Sequence, residues 1–321
     1  MPKDKKAPSS PTVFDGDNSA VHTPWQRTAG PGDGRSDSPS AGDGVGSPST
    51  AELPSALERL AEIEQRLRGK TPAVFLDYDG TLTPIVPRPE DALISEEMRG
   101  AVRELAGRCP VAIVSGRDLQ DVRQLAGIGE IFYAGSHGFD IAGPAGRRME
   151  LQQGTDYLPA LERAEQELHG LLAGVPGCQV ERKKFAIAVH FRRVAEDRVA
   201  DVERAVEQVL AGNAGLRRTG GKMIFELRPD IDWDKGKALC WLLPQLGLAG
   251  EGVVPLYIGD DLTDEDALRE LRGRGIGILV RDESRPTAAA YALENPGEVG
   301  IFLQRLAELL DRRETLKGGT P

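Results

Sequence analysis

Four short apolar runs stand out along the chain: AVFL (73–76), VAIV (111–114), PLYI (255–258) and GILV (277–280). Each stops at glycine or at polar residues. Apolar residues recur at helical spacing in Glu96–Leu105, Asp118–Ala126, Lys235–Leu243, Asp264–Leu271 and Val299–Leu310. A further helix is predicted upstream, where Leu53, Leu57, Leu60, Ile63 and Leu67 share a face. Runs that are apolar throughout predict strands buried on both faces. With helices between them, they predict a parallel sheet covered on both sides, an α/β fold.

Residues 144–230 follow a different pattern. Two helices are predicted, Leu158–Leu172 and Asp197–Leu210. KKFAIAVHFR puts Phe185, Ile187, Val189 and Phe191 on one face, and Lys184, Ala186, Ala188, His190 and Arg192 on the other. KMIFELR does the same, with Met223, Phe225 and Leu227 opposite Lys222, Ile224, Glu226 and Arg228. Such one-sided strands predict a small α/β domain with an open sheet face, inserted into the larger one. The expected layout is a core of residues 51–143 and 231–314 around an insert of 144–230. Residues 1–50, rich in Ser, Pro, Gly and Asp, and residues 315–321 are expected to be disordered tails.

Composition narrows the functional classes. The 321 residues carry 40 Lys+Arg against 50 Asp+Glu, a net charge of −10, which argues against a general nucleic-acid binder. The three cysteines, Cys109, Cys178 and Cys240, are far apart and odd in number, so neither a disulfide framework nor a zinc site is expected. No apolar run approaches the length of a membrane span, and MPKDKKAPSSPT has no apolar signal core. A reducing cytoplasm is the expected setting.

Four places carry candidate chemistry. In VFLDYDGTLTPI a buried strand runs into Asp77 and Asp79, with Gly80 free to turn sharply; an ordinary Asp-Gly turn is the plain alternative. VAIVSGR ends a strand at Ser115, which suits either a helix cap or a phosphoryl contact. In DWDKGKAL, Lys235 sits at a helix start, where a cation opposes the helix dipole unless an anion faces it. LYIGDDLTDEDAL follows a strand with Asp260 and Asp261, while Thr263 and Asp266 fit a capping pattern. Asp264 and Glu265 are assigned to the first helical turn, in a supporting role. Asp77, Ser115 and Asp260 all follow predicted parallel strands, so they are expected to converge at the carboxyl edge of the sheet. Clustered carboxylates with oxygen-only donors favour Mg²⁺. EF-hand and P-loop patterns are absent.

In order, DYDGTLTPI, the serine of VSGR, the lysine of DKGKAL and GDDLTDE resemble the four motifs of haloacid dehalogenase (HAD) superfamily phosphatases. YAGSHGFDI, ERKKFAIAVHFR, GGKMIFELRP and DWDKGKAL are similar to the trehalose-6-phosphate phosphatase family. The resemblance spans roughly residues 55–310 and departs from the family at Ser136, where many relatives carry glutamate. It implies a Rossmann-like parallel-sheet core with an inserted α/β cap, and a Mg²⁺-dependent phosphomonoesterase acting on trehalose 6-phosphate. Asp77 would be the nucleophile and Asp79 the general acid/base. Asp77 and Asp260 would bind Mg²⁺ by side chain, Asp79 through its backbone carbonyl and Asp261 through a water. Ser115 and Lys235 would hold the phosphoryl group. Gly116, Arg117, His137, Lys184, His190, Arg192, Lys222 and Glu226 complete the implied substrate contacts. Functional pairing with a trehalose-phosphate synthase is the partner implied, with no nucleic acid and no membrane. The alternatives weighed are a sucrose- or mannosyl-phosphate hydrolase, a phosphomutase, and an inactive sugar-phosphate-binding regulator.

Overall fold

The computed structural model of the chain describes residues 48–144, 148–150, 152–221 and 223–318. Residues 1–47 and 319–321 of the expected tails, and the candidate Lys222, lie outside the described residues. The strands are β1 (Thr71–Leu76), β2 (Val111–Val114), β3 (Phe132–Gly135), β4 (Asp140–Ala142), β5 (Arg148–Glu150), β6 (Gln179–Lys183), β7 (Ala186–His190), β8 (Leu216–Gly221), β9 (Ile224–Pro229), β10 (Val253–Gly259), β11 (Ile276–Val280) and β12 (Tyr291–Leu293). The helices are α1 (Leu60–Leu67), α2 (Glu96–Ala106), α3 (Leu119–Ala126), α4 (Gln152–Thr155), α5 (Leu158–Leu172), α6 (Val199–Gly212), α7 (Lys235–Gln245), α8 (Asp264–Glu270) and α9 (Pro296–Gly318).

The large sheet has the order β12-β11-β10-β1-β2-β3-β4-β5. The four apolar runs are its adjacent central strands and pair in parallel; only β4 and β5 run antiparallel to their neighbours. Alternate side chains feed two cores. Val74, Leu76, Val111, Ile113, Leu256 and Ile258 pack with α1, α2, α3 and α9 on one face. Ala73, Phe75, Ala112, Val114 and Tyr257 pack with α7 and α8 on the other. Burial on both faces is why these strands read as unbroken apolar runs.

The first helix is shorter than its leucine pattern predicts, because the backbone before it is used by the sheet. Pro54 O accepts from Ala292 N at 2.9 Å, and Ala56 N donates to Ala292 O at 2.8 Å. Helix α1 therefore starts only at Leu60. At the other end, α9 continues past Leu310 to Gly318, into the stretch expected as a tail.

The smaller sheet, order β6-β7-β9-β8, is fully antiparallel. Ile187, Val189, Leu227 and Phe225 on one face pack with α5 and α6. The opposite face carries Glu181, Lys183, His190, Ile224 and Glu226 toward the carboxyl edge of the large sheet. No helix among the described residues is long and apolar enough to cross a membrane.

Candidate active site

Helix α2 follows β1 on one face of the large sheet, and α8 follows β10 on the other. Their divergence opens a crevice beyond the adjacent ends of β1 and β10. Asp77 follows β1 directly, its N–H donating to Ile258 O at 2.9 Å. The chain then folds back, with Gly80 N donating to Thr83 O at 2.8 Å. Gly80 has φ +80°, and a Cβ there would lie 2.0 Å from Asp260 Oδ2. Only glycine allows both the turn and this approach. Tyr78, buried, donates to Ala92 O at 2.8 Å and anchors the loop.

Lys235 begins α7 and is buried, so its ammonium must be paired. Its Nζ lies 2.8 Å from Asp77 Oδ1 and 2.7 Å from Asp264 Oδ1. The clash between a cation and the helix start is resolved by turning the charge onto these two carboxylates. Asp264 is saturated: Oδ1 also accepts from Tyr257 OH at 2.5 Å, and Oδ2 accepts the N–H groups of Asp260 and Asp261 at 3.0 Å each. It therefore holds the Asp260–Asp261 turn open toward the crevice.

Asp77, Asp260 and Asp264 each offer a carboxylate oxygen within 4.8 Å of one another. With Asp264 committed, Asp77 and Asp260 are the pair able to share an ion. Asp260 Oδ1 is buried and accepts from no described group, the condition of an oxygen suited to a cation. Burial raises the Asp77 carboxyl well above its usual range, Asp264 and Asp260 add to this, and Lys235 opposes it. Burial, then Asp264 and Asp261, push Asp260 up to about 8. So much uncompensated acidity fits residues meant to face a divalent cation.

Asp261 corrects the capping pattern read from Thr263 and Asp266. Thr263 makes no side-chain cap. Instead Asp261 Oδ1 accepts from Thr263 N at 2.9 Å, Thr263 Oγ1 at 2.8 Å and Asp264 N at 3.1 Å. Thr263 has helical backbone, φ −74° and ψ −20°, in place of the extended backbone of a capping residue, and its hydroxyl donates to Asp261 instead. Burial alone would raise the Asp261 pKa, but Lys235 and these hydrogen bonds bring it down to about 2.

The cap reading of Ser115 is overturned, because the N-cap position of α3 falls to Asp118. Ser115 is buried, its Oγ accepts from Arg117 N at 3.1 Å, and it lines the crevice. Arg117 grips Asp79 with two bonds of 2.7 Å and also reaches Asp121 at 2.9 Å. Gly116 is required because a Cβ would fall 2.9 Å from the His137 ring. His137 has φ +57°, follows Ser136 at φ +50°, and receives Trp233 Nε1 on its carbonyl at 3.1 Å. Two adjacent non-glycine residues in left-handed backbone mark a strained, held position. Burial, then Arg228 and Lys235, lower His137 to about 3.

The folded imidazole thus stays neutral at pH values where the unfolded one, near 6.5, takes up a proton. With the folded value depressed, this contribution to stability is present above pH 6.5 and is lost as pH falls toward 3. We expect the stability difference between wild type and His137→Gln, from urea titrations, to shrink steadily over that window. A difference independent of pH would contradict the assignment.

These side chains line a cavity of about 650 Å³, large enough for a disaccharide phosphate. Asp77, Asp79, Ser115, Gly116, Arg117, His137, His190, Glu226, Lys235, Asp260 and Asp261 are all brought to it. Lys184 and Arg192 are not among its lining residues. Lys184 lies in the β6–β7 turn, its Nζ on Asp140 Oδ2 at 2.9 Å, and Arg192 is exposed beyond β7. In their place Lys183 and Glu181 line the cavity, with Lys183 Nζ 2.9 Å from Glu226 and His190 hydrogen-bonded to Glu181 at 2.7 Å. The i, i+2 spacing of Glu181 and Lys183 was the available signal, masked because QVERK has little apolar alternation.

Residues 75–297 match the trehalose-phosphatase family. The chain is 45% identical over 267 residues to trehalose-phosphate phosphatase B of Arabidopsis thaliana, covering 80% of this chain and 71% of that protein. A crystal structure of a trehalose-6-phosphate phosphatase related protein superposes with TM-score 0.65 at 25% identity, covering 75% of this chain and 99% of that one. A haloacid dehalogenase-like hydrolase from Bacteroides thetaiotaomicron, 19% identical, shares the fold with TM-score 0.52, over 76% of this chain and 99% of its own.

Proposed function

This chain belongs to the trehalose-phosphatase family, and from that premise we propose that it hydrolyses trehalose 6-phosphate to trehalose and phosphate through an aspartyl-phosphate on Asp77. The observation that carries this reading is the buried Asp77–Lys235–Asp264 chain with Asp260 beside it, facing the polar side of the smaller sheet. That sheet and its two helices act as a cap that supplies the sugar contacts.

Asp77 attacks phosphorus, forming the carboxylate O–P bond as the P–O bond to the sugar breaks. Asp79 gives its proton to the departing sugar oxygen. It then takes a proton from the water that attacks the aspartyl-phosphate, releasing phosphate and restoring Asp77. Lys235 and Ser115 hold phosphoryl oxygens, so charge in the loose transition state meets a fixed cation and a hydroxyl donor. Asp77, Asp260 and the Asp79 carbonyl, assisted by Asp261, would hold a Mg²⁺ ion, which supplies charge neutralisation between nucleophile and phosphate when bound. In the cap, Lys183 donates to and Glu226 accepts from sugar hydroxyls, a pairing suited to an uncharged, hydroxyl-rich group. The three cysteines are free thiols, in keeping with a cytoplasmic enzyme. A trehalose-phosphate synthase would be the functional partner that supplies the substrate.

The test is phosphate release from trehalose 6-phosphate with Mg²⁺ and with a chelator, against a panel including sucrose and mannosyl phosphates. We expect trehalose 6-phosphate to be turned over fastest, with at least a roughly hundredfold loss on Mg²⁺ removal. Faster release from another sugar phosphate would displace the substrate assignment. Full activity in chelator would displace the metal.

A further inference from the structure

Asp260 is aimed by its backbone. Its Oδ1 is buried and accepts from no described group, so no hydrogen bond on that oxygen sets the side chain. Its N–H instead donates to Asp264 Oδ2 at 3.0 Å, and its carbonyl accepts from Arg285 Nη2. With the N–H and C=O of one residue both held, little freedom remains in φ and ψ, and the direction of Cβ follows from them. The carboxylate lies so close to Gly80 that a Cβ there would collide with it, so this aim must stay within a narrow range.

Arg285 reaches that carbonyl at a local cost. Its side chain is only 14% exposed and pairs with Asp282, but its Nε is buried and donates to no described group. A buried donor left without a partner calls for an explanation beyond stability. The Arg285 backbone is held as well. Its N–H donates to Thr50 Oγ1 at 3.3 Å, and its O accepts from Thr50 N at 2.9 Å. The Thr50 hydroxyl donates to Glu283 O at 3.0 Å, and Pro48 O accepts from Thr287 N at 3.1 Å. Thr50 ends the stretch expected as a tail, and it is buried. From the other side Glu265, in the first turn of α8, accepts from Thr287 Oγ1 at 2.6 Å and Ala288 N at 2.9 Å. The loop of residues 281–288 is thus clamped between Pro48–Thr50 and the helix that follows the Asp260–Asp261 turn.

We propose that Arg285 is a positioning residue for Asp260: it holds the Asp260 carbonyl, and Thr50 holds Arg285, so that the carboxylate faces the cation site. This rests on the reading of Asp260 as a Mg²⁺ ligand. Arg285 touches neither the ion nor the substrate in this role. Groups that orient a metal ligand from behind typically cost about tenfold or more in metal affinity when removed. The sign of the effect separates positioning from charge. The guanidinium is a positive charge beside a cation site, and deleting it also frees the Asp282 carboxylate. Charge alone therefore predicts tighter Mg²⁺ binding without Arg285. Positioning predicts weaker binding.

The experiment titrates Mg²⁺ into the full-length enzyme, stripped of metal, and reads the dissociation constant by calorimetry without substrate. Arg285→Met should weaken binding about tenfold, and Thr50→Val, which alters no charge, about threefold. Melting in chelator is followed on the same preparations. An arginine needed only for the stability of its loop would lower the melting temperature and leave the dissociation constant unchanged. The Mg²⁺ concentration for half-maximal phosphate release should rise in step with the dissociation constant. Unchanged or tighter Mg²⁺ binding in Arg285→Met would overturn the proposal, as would wild-type affinity in Thr50→Val. If Arg285→Met does not fold, Thr50→Val carries the comparison. Asp260→Asn should weaken binding more than either variant. Wild-type affinity in Asp260→Asn would reject the ligand assignment itself, a result distinct from failure of the positioning.

Discussion

Replacing Asp77 with asparagine is expected to cut phosphate release from trehalose 6-phosphate by roughly ten-thousand-fold or more while leaving the fold intact. The amide is almost the same size as the carboxylate, so the loop pinned by Tyr78 and Gly80 keeps its shape. Lys235 keeps its 2.7 Å bond to Asp264. What disappears is the oxygen nucleophile. Burial already holds the Asp77 carboxyl well above its usual range, so a neutral group there relieves a cost, and the metal-free variant should melt no lower than wild type. Phosphate assays and calorimetry on the same preparation check both halves. Turnover within tenfold of wild type would remove Asp77 from the nucleophile's role, whatever the melting curve shows.

The parts of this molecule that could be read from its sequence are those where one physical effect dominates. Strands β1, β2, β10 and β11 are buried on both faces, so their composition alone declares them. Strands β3, β4 and β12 have three or four residues each, too short for periodicity to speak. Lys184 and Arg192 stand outside the cavity lining for a related reason. The alternation of β7 was run past both ends of the strand, but β7 covers only Ala186–His190. Beyond it the chain turns, Lys184 swings to Asp140, and the period-2 rule no longer applies. Phe185, put with Ile187 and Val189 by the same alternation, packs instead on Phe139, the residue before β4 of the large sheet.

Asp264 shows the opposite limit. Nothing local separates it from Glu265 or Asp266, since all three suit the first turn of a helix. Its function comes from Tyr257, Lys235 and two backbone N–H groups arriving from elsewhere in the fold. Lys235 was visible because it broke a local rule, whereas Asp264 obeyed one. Asp118 combines the two cases: it sits where a cap belongs, but only the fold reveals that it caps nothing.

Lys235→Met tests the electrostatic centre of the site directly. Methionine retains most of the buried stem but removes the only ammonium within 4.0 Å of Asp77, Asp261 and Asp264 among the described residues. Breaking a buried ion pair by deleting one partner typically costs about 3–5 kcal/mol, because the other charge stays buried. For a protein of this size that corresponds to a melting temperature roughly 5–10 °C lower in chelator. A divalent cation stabilises the folded state by mass action, and its gain grows with the negative charge it neutralises. Mg²⁺ should therefore raise the melting temperature of the variant more than that of wild type. It should not restore turnover, expected to fall by roughly a thousandfold, because the ammonium that meets the phosphoryl oxygens is gone. If Lys235→Met melts like wild type in chelator and gains nothing extra from Mg²⁺, then the lysine does not balance these carboxylates, and the charge arrangement described for the crevice is wrong.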